Sequence, residues 1–394
     1  MSANGTTPPC VLLGGEAIAV SAARSLGASG VRVYALGDES DPVRASRYCH
    51  EFVAVGSKEG VIERYLDWLE HRGPRGAAIL PCDDYGVEMI ARNRARLEEW
   101  GYLPVEGDDD VMLEMLDKER TYELSRAAGV PTPRTATVHS ADEAVAAAAG
   151  FEFPIGLKAT QSHVWARFSP AKLLTAADPA ELRKVAEWAF GAGVPMLMTE
   201  LIPGGEHLMC TYFTYIDERG EPLFHYTKSK IRQWPKGSGL TCYQVSDWQP
   251  DVVEEGLRFL RAVGLRGIGS IEFKRDPRDG RNKIIECNHR FTGSSDLTRH
   301  CGIDIPLLAY NRLVGRPDPP LDRYATGVTQ WNPIEDFRSM VEYRRDGEIT
   351  VRRWLRSVAR RQHFPMMRLD DPMPTVVSLS HKASRLTAKL RAGG

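Results

Sequence analysis

The segment GSIEFKRDPRDGRNKIIECNHRF contains side chains suited to binding a divalent metal ion. Its two strand-like runs, joined by the turn DPRDGR, predict a hairpin in which Glu272 lies opposite Glu286. Because successive side chains of a strand point to opposite faces, Glu286, Asn288 and Arg290 are expected on the same face of the second strand. Because opposed carboxylates repel each other, they require a cation, and two carboxylates with an amide oxygen are ligands that Mg²⁺ accepts. We therefore expect a magnesium site formed by Glu272, Glu286 and Asn288.

A symmetric hairpin also predicts the neighbouring contacts. It places Lys274 opposite Ile284, and it directs Ile285 and Cys287 into the core. The alternative interpretation is an exposed hairpin whose acidic side chains pair with Lys274 and Lys283.

A second cluster of charge consists of Lys228, Lys230 and Arg232, which are spaced by two along a predicted strand. Three cations on one face repel one another unless an anion lies across them, and a triphosphate or a substrate carboxylate would serve. The glycine-rich stretch WPKGSGL that follows is a candidate lid. A solvated basic face is the alternative.

Two further segments have the features of a nucleotide site. Lys158 lies among apolar residues in FPIGLKAT, so that its ammonium group needs a partner such as phosphate or a route to solvent. In TELIPGGE a strand runs through Glu200 into a Pro-Gly turn, where Glu200 is a candidate for the adenine amine and Glu206 for a ribose hydroxyl. An ordinary strand and turn is the alternative.

These segments need a scaffold, and the pattern of the chain predicts one. PCVLLGG, a helix and VRVYALG follow the strand–helix–strand order of a doubly wound parallel sheet, which we expect to span residues 1–115. Its glycine turn invites a dinucleotide-binding interpretation, but it lacks the full G-x-G-x-x-G pattern and an acidic residue closing the second strand. Residues 116–330 are predicted to form a second, mixed α and β body.

Composition limits the classes of protein that fit. With 42% hydrophobic residues, 51 basic and 52 acidic residues, the 394-residue chain is expected to be soluble and globular. Seven scattered cysteines without a C-x-x-C pair favour reduced thiols in the cytoplasm over a zinc cluster. No apolar stretch reaches the roughly 20 residues of a membrane span.

The charge is unevenly distributed along the chain. From Trp331 onward the sequence contains thirteen Lys and Arg but only seven Asp and Glu, so we expect a basic C-terminal helical extension. It either docks on the acidic body or binds an anionic partner or membrane surface.

The ordered set of motifs resembles the ATP-grasp superfamily. Its landmarks follow in family order: the DK of Asp117 and Lys118, GVPTP, FPIGLKAT, TELIPGGE, Glu272 and IECNHR. The phrases KIRQWPKGSG, IECNHRFTGSSDL and DDPMP are similar to carboxylate-amine ligases related to D-aspartate ligase. The resemblance implies a two-lobed ATP-grasp body, with a smaller lobe at about residues 118–200 and a larger lobe at about 201–330.

The resemblance implies a role for each matching residue. ATP and Mg²⁺ are the expected cofactors, with Mn²⁺ as a possible substitute, and the metal ligands are those named above. Arg290 would neutralise the transferring phosphoryl group, and Arg232 would contact substrate or phosphate. The expected nucleotide-binding residues are Lys118, Lys158, Lys172, Glu200, Leu201, Ile202, Glu206 and Lys230.

One segment departs from the family pattern. Many members carry a glycine-rich flap after the phosphate-binding lysine, whereas ATQSHVWARFSPAK contains no glycine. We expect His163, Arg167 and Lys172 to supply side-chain contacts to the phosphates in place of backbone amides.

The resemblance implies an ATP-dependent ligase that forms an amide or peptide bond through an acyl phosphate and releases ADP and phosphate. The expected substrates are a small-molecule carboxylate and an amine, with an amino acid among them, and no nucleic acid partner is expected. A homodimer is the default assembly. The alternatives are a bicarbonate-activating carboxylase-type enzyme of the same superfamily and a non-catalytic nucleotide-binding scaffold.

Overall fold

The computed structural model describes residues 7–56, 59–191, 193–321 and 323–392, which form two compact units. The first unit contains Met1–Asp109, Arg290–Asn332 and Gln362–Gly394, and the second contains Asp110–His289 and Pro333–Arg361. Each unit is therefore assembled from separate stretches of the chain.

The N-terminal part of the first unit is a parallel sheet with helices between its strands. Its elements are β1 (Cys10–Leu13), α1 (Glu16–Ala28), β2 (Val33–Gly37), β3 (Glu51–Ala54), α2 (Val61–His71), β4 (Ala78–Pro81), α3 (Asp84–Glu99) and β5 (Leu103–Pro104). The strand order is β3-β2-β1-β4-β5, and the neighbours are parallel. The predicted doubly wound sheet is confirmed.

The glycine turn after β1 is required by packing. Gly14 and Gly15 have φ angles of 65° and 94°, a region that side chains disfavour. A Cβ on Gly15 would lie 2.2 Å from the Cβ of Cys82. Only glycine can therefore occupy position 15, where the chain crosses the end of β4. The positive φ angle and the close approach to Cys82 explain the glycine turn without a bound nucleotide.

The second unit begins with two helices and contains two antiparallel sheets. Its elements up to residue 289 are α4 (Asp109–Leu116), α5 (Lys118–Ala127), β6 (Thr135–Val138), α6 (Ala141–Ala147), β7 (Ile155–Ala159), α7 (Ser162–Trp165), β8 (Leu174–Ala176), α8 (Pro179–Phe190), β9 (Met196–Glu200), β10 (Met209–Ile216), β11 (Tyr226–Trp234), β12 (Leu240–Asp247), α9 (Pro250–Ala262), β13 (Gly267–Arg275) and β14 (Asn282–Asn288). The smaller sheet has the order β6-β9-β7-β8, and the larger sheet contains β14-β13-β10-β11-β12. The expected division of this body into a smaller and a larger lobe stays a prediction.

Each sheet of the second unit has its own core. Tyr212, Phe259 and Phe273 are fully buried where α5 and α9 pack on the larger sheet. The smaller sheet buries Ile155 and Leu182 against α6 and α8. The side chain of Asp117 caps α5 by accepting from the backbone N–H groups of residues 119 and 120. The helix consequently begins at the lysine of the DK motif.

The remaining elements are α10 (Ser295–His300), α11 (Ile305–Leu313), β15 (Thr329–Trp331), α12 (Pro333–Arg345), α13 (Val351–Val358) and α14 (Met373–Ala392). The C-terminal region is helical, as expected, but it is not one extension. Helices α12 and α13 belong to the second unit, whereas α14 belongs to the first. Within the described residues, no helix has the length and apolar content needed to cross a bilayer.

Ion pairs explain why the C-terminal region is divided. In the first unit, Arg24 is fully buried and its Nε lies 2.8 Å from Oδ2 of Asp371. In the second unit, Asp336 of α12 is fully buried against Arg232 of β11. A buried charge needs an opposite charge beside it, so each pair attaches its part of the C-terminal region to one unit.

Candidate active site

The hairpin β13–β14 brings the two candidate metal-binding carboxylates together. Glu272 and Glu286 are directly paired across the strands, which confirms the predicted register at this position. Beyond it the prediction is wrong, because Phe273 pairs with Ile284 and Lys274 pairs with residue 283. The extra residue is Ile285, which forms a β-bulge.

The bulge changes which side chains of β14 enter the core. Ile284 and Cys287 are buried in the core of the larger sheet, whereas Ile285 is only partly buried. The expectation that Ile285 points inward is therefore corrected, since an inserted residue reverses the alternation on one side of it.

The chemistry of the hairpin fits a hard divalent cation. Nδ2 of Asn288 donates to Oε1 of Glu286 at 3.1 Å, which directs the amide oxygen of Asn288 away from that carboxylate. Within the part of the chain that the structure describes, no group of three or more His, Cys, Asp or Glu side chains is placed to hold a metal. Two carboxylates and one amide thus form an incomplete shell, and phosphate oxygens would have to complete a Mg²⁺ site here.

A row of polar side chains crosses the larger sheet from this hairpin. Thr211 of β10 pairs with Glu272 on one side and with Lys228 of β11 on the other. Because directly paired residues share a face, Glu286, Glu272, Thr211 and Lys228 line the same surface. Burial lowers the pKa of Lys228 to about 8, and the nearby Glu272 opposes this shift. The row therefore places acidic groups on β14 and β13 and a basic group on β11, with Thr211 of β10 between them.

Lys230 links the row to the C-terminal end of β11. Its Nζ lies 3.3 Å from Oε2 of Glu272 and donates to Oε1 of Gln233 at 2.9 Å. Lys230 is 4% exposed, so its charge is compensated inside the protein by Glu272. The cation expected beside the two carboxylates is thus supplied in part by Lys230.

Arg232 differs from its expected role. The pairing of β11 with β12 shifts on either side of it, and its Nε and Nη2 donate to Oδ1 and Oδ2 of Asp336 at 2.6 and 2.8 Å. Both side chains are buried. The three cations are therefore not aligned toward an anion, because Arg232 turns to a carboxylate of α12 that lies about 100 residues later in the chain.

The two expected phosphate-binding lysines come from different elements. Nζ of Lys118, at the start of α5, donates to Oγ of Ser162 at 2.6 Å. Nζ of Lys158 on β7 donates to the hydroxyl of Tyr122 at 2.6 Å. That hydroxyl donates in turn to the backbone oxygen of Ile285 at 2.9 Å. Tyr122 thereby connects Lys158 to the strand that carries Glu286.

The electrostatics of Lys158 follow from this position. Burial lowers its pKa to about 8, while the nearby carboxylate of Glu286 acts in the opposite direction. An ammonium group with this pKa is largely charged at neutral pH, and it is poorly solvated. An anion would therefore be a stronger partner for the ammonium group of Lys158 than the neutral hydroxyl of Tyr122.

Glu200 is the terminal residue of β9 and is surrounded by cations. Its Oε2 accepts from the backbone N–H of Arg134 at 2.9 Å and lies 3.7 Å from Nζ of Lys283. Arg278 pairs with the same carboxylate. Burial alone would raise the pKa of Glu200, but the hydrogen bonds from Arg134 and Arg278 lower it overall. The carboxylate is therefore held ionised, and an adenine amine would share it with these cations.

The turn after β9 is tied to β13. Nζ of Lys274 donates to the backbone oxygens of Ile202 and Gly204 at 2.7 and 2.8 Å. Because this lysine holds the carbonyl groups of the turn, the backbone of Leu201 and Ile202 is kept in a fixed conformation. The predicted adenine-binding residues 200–202 thus lie together in the second unit.

Glu206 is 6% exposed and connects this turn to the glycine-rich loop after β11. Its Oε1 accepts from Nε2 of Gln233 at 3.3 Å and from the backbone N–H of Gly237 at 3.0 Å. Lys236 in the same loop pairs with Asp346 and Glu348 after α12, at 2.6 and 2.5 Å. The loop predicted to be a lid is therefore held by the backbone N–H of Gly237 and by the side chain of Lys236.

The two remaining expected site residues are Lys172 and Arg290. Lys172 is exposed in the loop before β8. Arg290 follows β14 in the first unit, where its Nε lies 2.5 Å from Oδ1 of Asp84. The neighbouring Asp83 caps α3 by accepting from the backbone N–H of Gly86 at 2.8 Å.

The segment without glycine forms the short helix α7 and a turn. His163 is buried, and Nε1 of Trp165 donates to the backbone oxygen of Ala171 at 2.7 Å, while Arg167 is exposed. Side-chain packing rather than glycine freedom therefore shapes this segment. The expected phosphate contacts of His163, Arg167 and Lys172 stay a prediction.

Sequence reasoning missed several residues that hold the site together. Tyr122, Gln233 and Asp336 each bind a predicted site residue, as described above. For Tyr122 a signal existed, because it lies one helical turn after Lys118 and faces the same direction. Asp336 had no local signal, since its partner is distant in sequence.

Comparisons with known proteins agree with this architecture. No family model matches the chain. The chain is 24% identical over 326 residues to D-aspartate ligase of Enterococcus faecium, covering 78% of this chain and 77% of that protein.

Solved structures show the same fold. The biotin carboxylase domain dimer of Hydrogenobacter thermophilus 2-oxoglutarate carboxylase, solved with MgADP, ADP and bicarbonate, superposes with a TM-score of 0.64 at 20% identity. The match covers 82% of this chain and 74% of that chain. The L-amino acid ligase of Bacillus licheniformis superposes with a TM-score of 0.58 at 15% identity, covering 79% and 75%. The predicted fold class is thus confirmed over most of the chain.

Proposed function

We infer that this chain is an ATP-grasp enzyme of the ligase type and that it joins a carboxylate to an amine at the expense of ATP. The observation that carries the proposal is the pairing of Glu272 with Glu286 on a sheet surface that also carries Lys228 and Lys230. Lys158 is linked to the same strand through Tyr122. Acidic groups for a metal and basic groups for phosphates are both required for phosphoryl transfer.

The residues take the following proposed roles. Glu272, Glu286 and Asn288 hold Mg²⁺, or Mn²⁺ in its place, and the ion neutralises the negative charge of the phosphate oxygens when it is bound. Glu200 with the backbone of Leu201 and Ile202 receives the adenine, and Glu206 receives the ribose. The phosphates are held by Lys118, Lys158, Lys172 and Lys230, and Arg290 neutralises the transferring group.

The proposed reaction has two steps. A carboxylate oxygen of the substrate attacks the γ-phosphorus of ATP in line, the bond to the β-phosphate oxygen breaks, and ADP leaves. The amine then attacks the carbonyl carbon of the acyl phosphate, loses a proton to solvent, and displaces phosphate. Cationic side chains that are fixed before the reaction stabilise the charge that spreads over the phosphoryl oxygens.

Glu286→Gln tests the proposal, because it keeps the shape of the side chain and removes the charge. We expect turnover to fall on the order of 10²-fold or more. Asp279→Asn is the matched control, since Asp279 lies in the turn of the same hairpin and is 43% exposed. ADP and phosphate release would be followed in a screen of paired amino acids and amines, with EDTA and then added Mg²⁺ or Mn²⁺. A near-normal rate for Glu286→Gln would refute the metal-binding role, and production of AMP and pyrophosphate would refute the acyl phosphate.

The similarity to D-aspartate ligase supports an amino acid as one substrate. A second candidate is bicarbonate activation, favoured by the similarity to a carboxylase domain solved with MgADP and bicarbonate. ATP hydrolysis that depends on bicarbonate and not on an added amine would select this alternative. The proposed setting is the cytoplasm, where ATP is available, and a homodimer is the proposed assembly.

A further inference from the structure

The helices α12 and α13 expose an apolar surface that the proposed reaction does not use. It consists of Ile334, Phe337 and Val341 on α12, and Val351 and Leu355 on α13. Phe337, Val341 and Leu355 are 54%, 52% and 53% exposed. We refer to these five residues as the α12–α13 face.

The α12–α13 face is formed by two helices that contact each other. Residues 334, 337 and 341 lie on one side of α12, and residues 351 and 355 lie one turn apart on α13. The rings of Phe337 and Trp354 are 6.3 Å apart and meet edge to face, which joins the two helices. Nε1 of Trp354 donates to Oδ2 of the buried Asp336 at 2.8 Å. The two helices are thus joined by a ring contact and by a hydrogen bond to a buried carboxylate.

A strong positive charge borders this face. The segment 351–361 contains five arginines, at positions 352, 353, 356, 360 and 361, and no acidic residue. On α13 the residues Arg352 and Arg356 are exposed and lie beside the apolar stripe of Val351 and Leu355. Apolar side chains flanked by arginine are the composition of helices that lie in the interface of an anionic membrane.

We propose that the α12–α13 face docks on the surface of a membrane that contains anionic lipids. The apolar side chains enter the boundary between headgroups and acyl chains, and the arginines contact the lipid phosphates. A second copy of this chain is a poorer partner, because a two-fold contact would set the arginine-rich segment against itself. A nucleic acid would match the charge but would leave the exposed Phe337 and Leu355 without a role.

Sedimentation with lipid vesicles tests this proposal on the full chain. The protein should pellet with vesicles of phosphatidylcholine and phosphatidylglycerol, should stay in solution with phosphatidylcholine alone, and should be released by salt. Each arginine near an anionic surface contributes about fivefold to binding, so Arg352→Gln with Arg356→Gln should weaken it about 25-fold. The matched control is Arg258→Gln with Arg261→Gln on α9, which removes the same charge from exposed positions and should leave binding unchanged.

A second pair of variants tests the apolar contribution at constant charge. Val341→Ser with Leu355→Ser should weaken vesicle binding at least tenfold, because each side chain would lose its burial in the lipid. Circular dichroism and ADP release would verify that these variants are folded.

Three results would overturn the proposal. The first is that the wild-type chain does not bind the anionic vesicles, and the second is that the α9 control loses as much binding as the α13 variant. The third is that Val341→Ser with Leu355→Ser binds normally, which would indicate adsorption by charge alone. If that apolar pair instead converts a dimer to a monomer in analytical ultracentrifugation while vesicles remain unbound, the face is a contact between copies of this chain.

Discussion

Replacing Asp336 with asparagine should destabilise the second unit by roughly 3–5 kcal/mol. Asp336 is fully buried, and it accepts from Nε and Nη2 of Arg232 at 2.6 and 2.8 Å and from Nε1 of Trp354 at 2.8 Å. An amide keeps the size of the side chain but removes the charge that compensates a guanidinium group with 3% exposure. The cost is therefore that of an unpaired buried charge.

A double-mutant cycle separates this structural role from a role in substrate binding. Arg232→Met alone leaves Asp336 buried without its cation and should be as destabilising as the change of Asp336. The single variant Asp336→Leu completes the cycle. The double variant Arg232→Met with Asp336→Leu removes both charges, so its cost should fall well below the summed costs of Arg232→Met and Asp336→Leu. A residual loss of about 1–3 kcal/mol is expected, because Trp354 then lacks an acceptor.

Urea unfolding measures these differences, and hydrogen exchange of peptides from β11 and α12 assigns them to the second unit. A cost below about 1 kcal/mol for Asp336→Asn would contradict the assignment of Arg232 to a buried ion pair, since surface pairs contribute that little. Loss of ADP release in the double variant, measured at a temperature where it is folded, would show that Arg232 acts on the substrate after all.

Two further predictions concern Lys158 and Arg24. Because burial lowers the pKa of Lys158 to about 8, its side chain carries a positive charge below that pH and loses the charge above it. We therefore expect kcat/KM for ATP to fall about tenfold per pH unit above pH 8. Lys158→Arg should abolish this fall, because a guanidinium group stays charged. A wild-type profile that is flat from pH 7 to 10 would contradict the phosphate-binding role. Arg24→Met should destabilise the first unit by roughly 3–5 kcal/mol, since it leaves Asp371 buried without a cation. Faster cleavage of residues 362–384 in limited proteolysis would report this loss, and an unchanged cleavage rate would refute it.

Local patterns were sufficient for much of the fold. Alternating apolar residues and glycine turns predicted the parallel sheet of the first unit, and the opposed pair Glu272 and Glu286 followed from hairpin geometry. Each of these features depends on residues that are close in sequence, where spacing and propensity are informative.

The features that were missed depend on distant residues or on backbone irregularity. The bulge at Ile285 inserts one residue, and no alternation pattern marks its position. The partner of Arg232 lies in α12, 104 residues later in the chain, where local sequence patterns do not reveal it. The sequence alone therefore predicted an external anion for the three evenly spaced cations. The C-terminal region looked like one basic extension because composition does not reveal that Asp336 and Asp371 are buried in different units.

The pairing of Arg24 with Asp371 has a consequence for biosynthesis. The two residues are 347 positions apart, and a ribosome adds about 5–20 residues per second. Roughly 17 to 70 s therefore pass between the synthesis of the buried Arg24 of α1 and the synthesis of the carboxylate that neutralises it. During translation α1 must keep this arginine hydrated, so the sheet acquires its final packing only after the segment that contains Asp371 has been made.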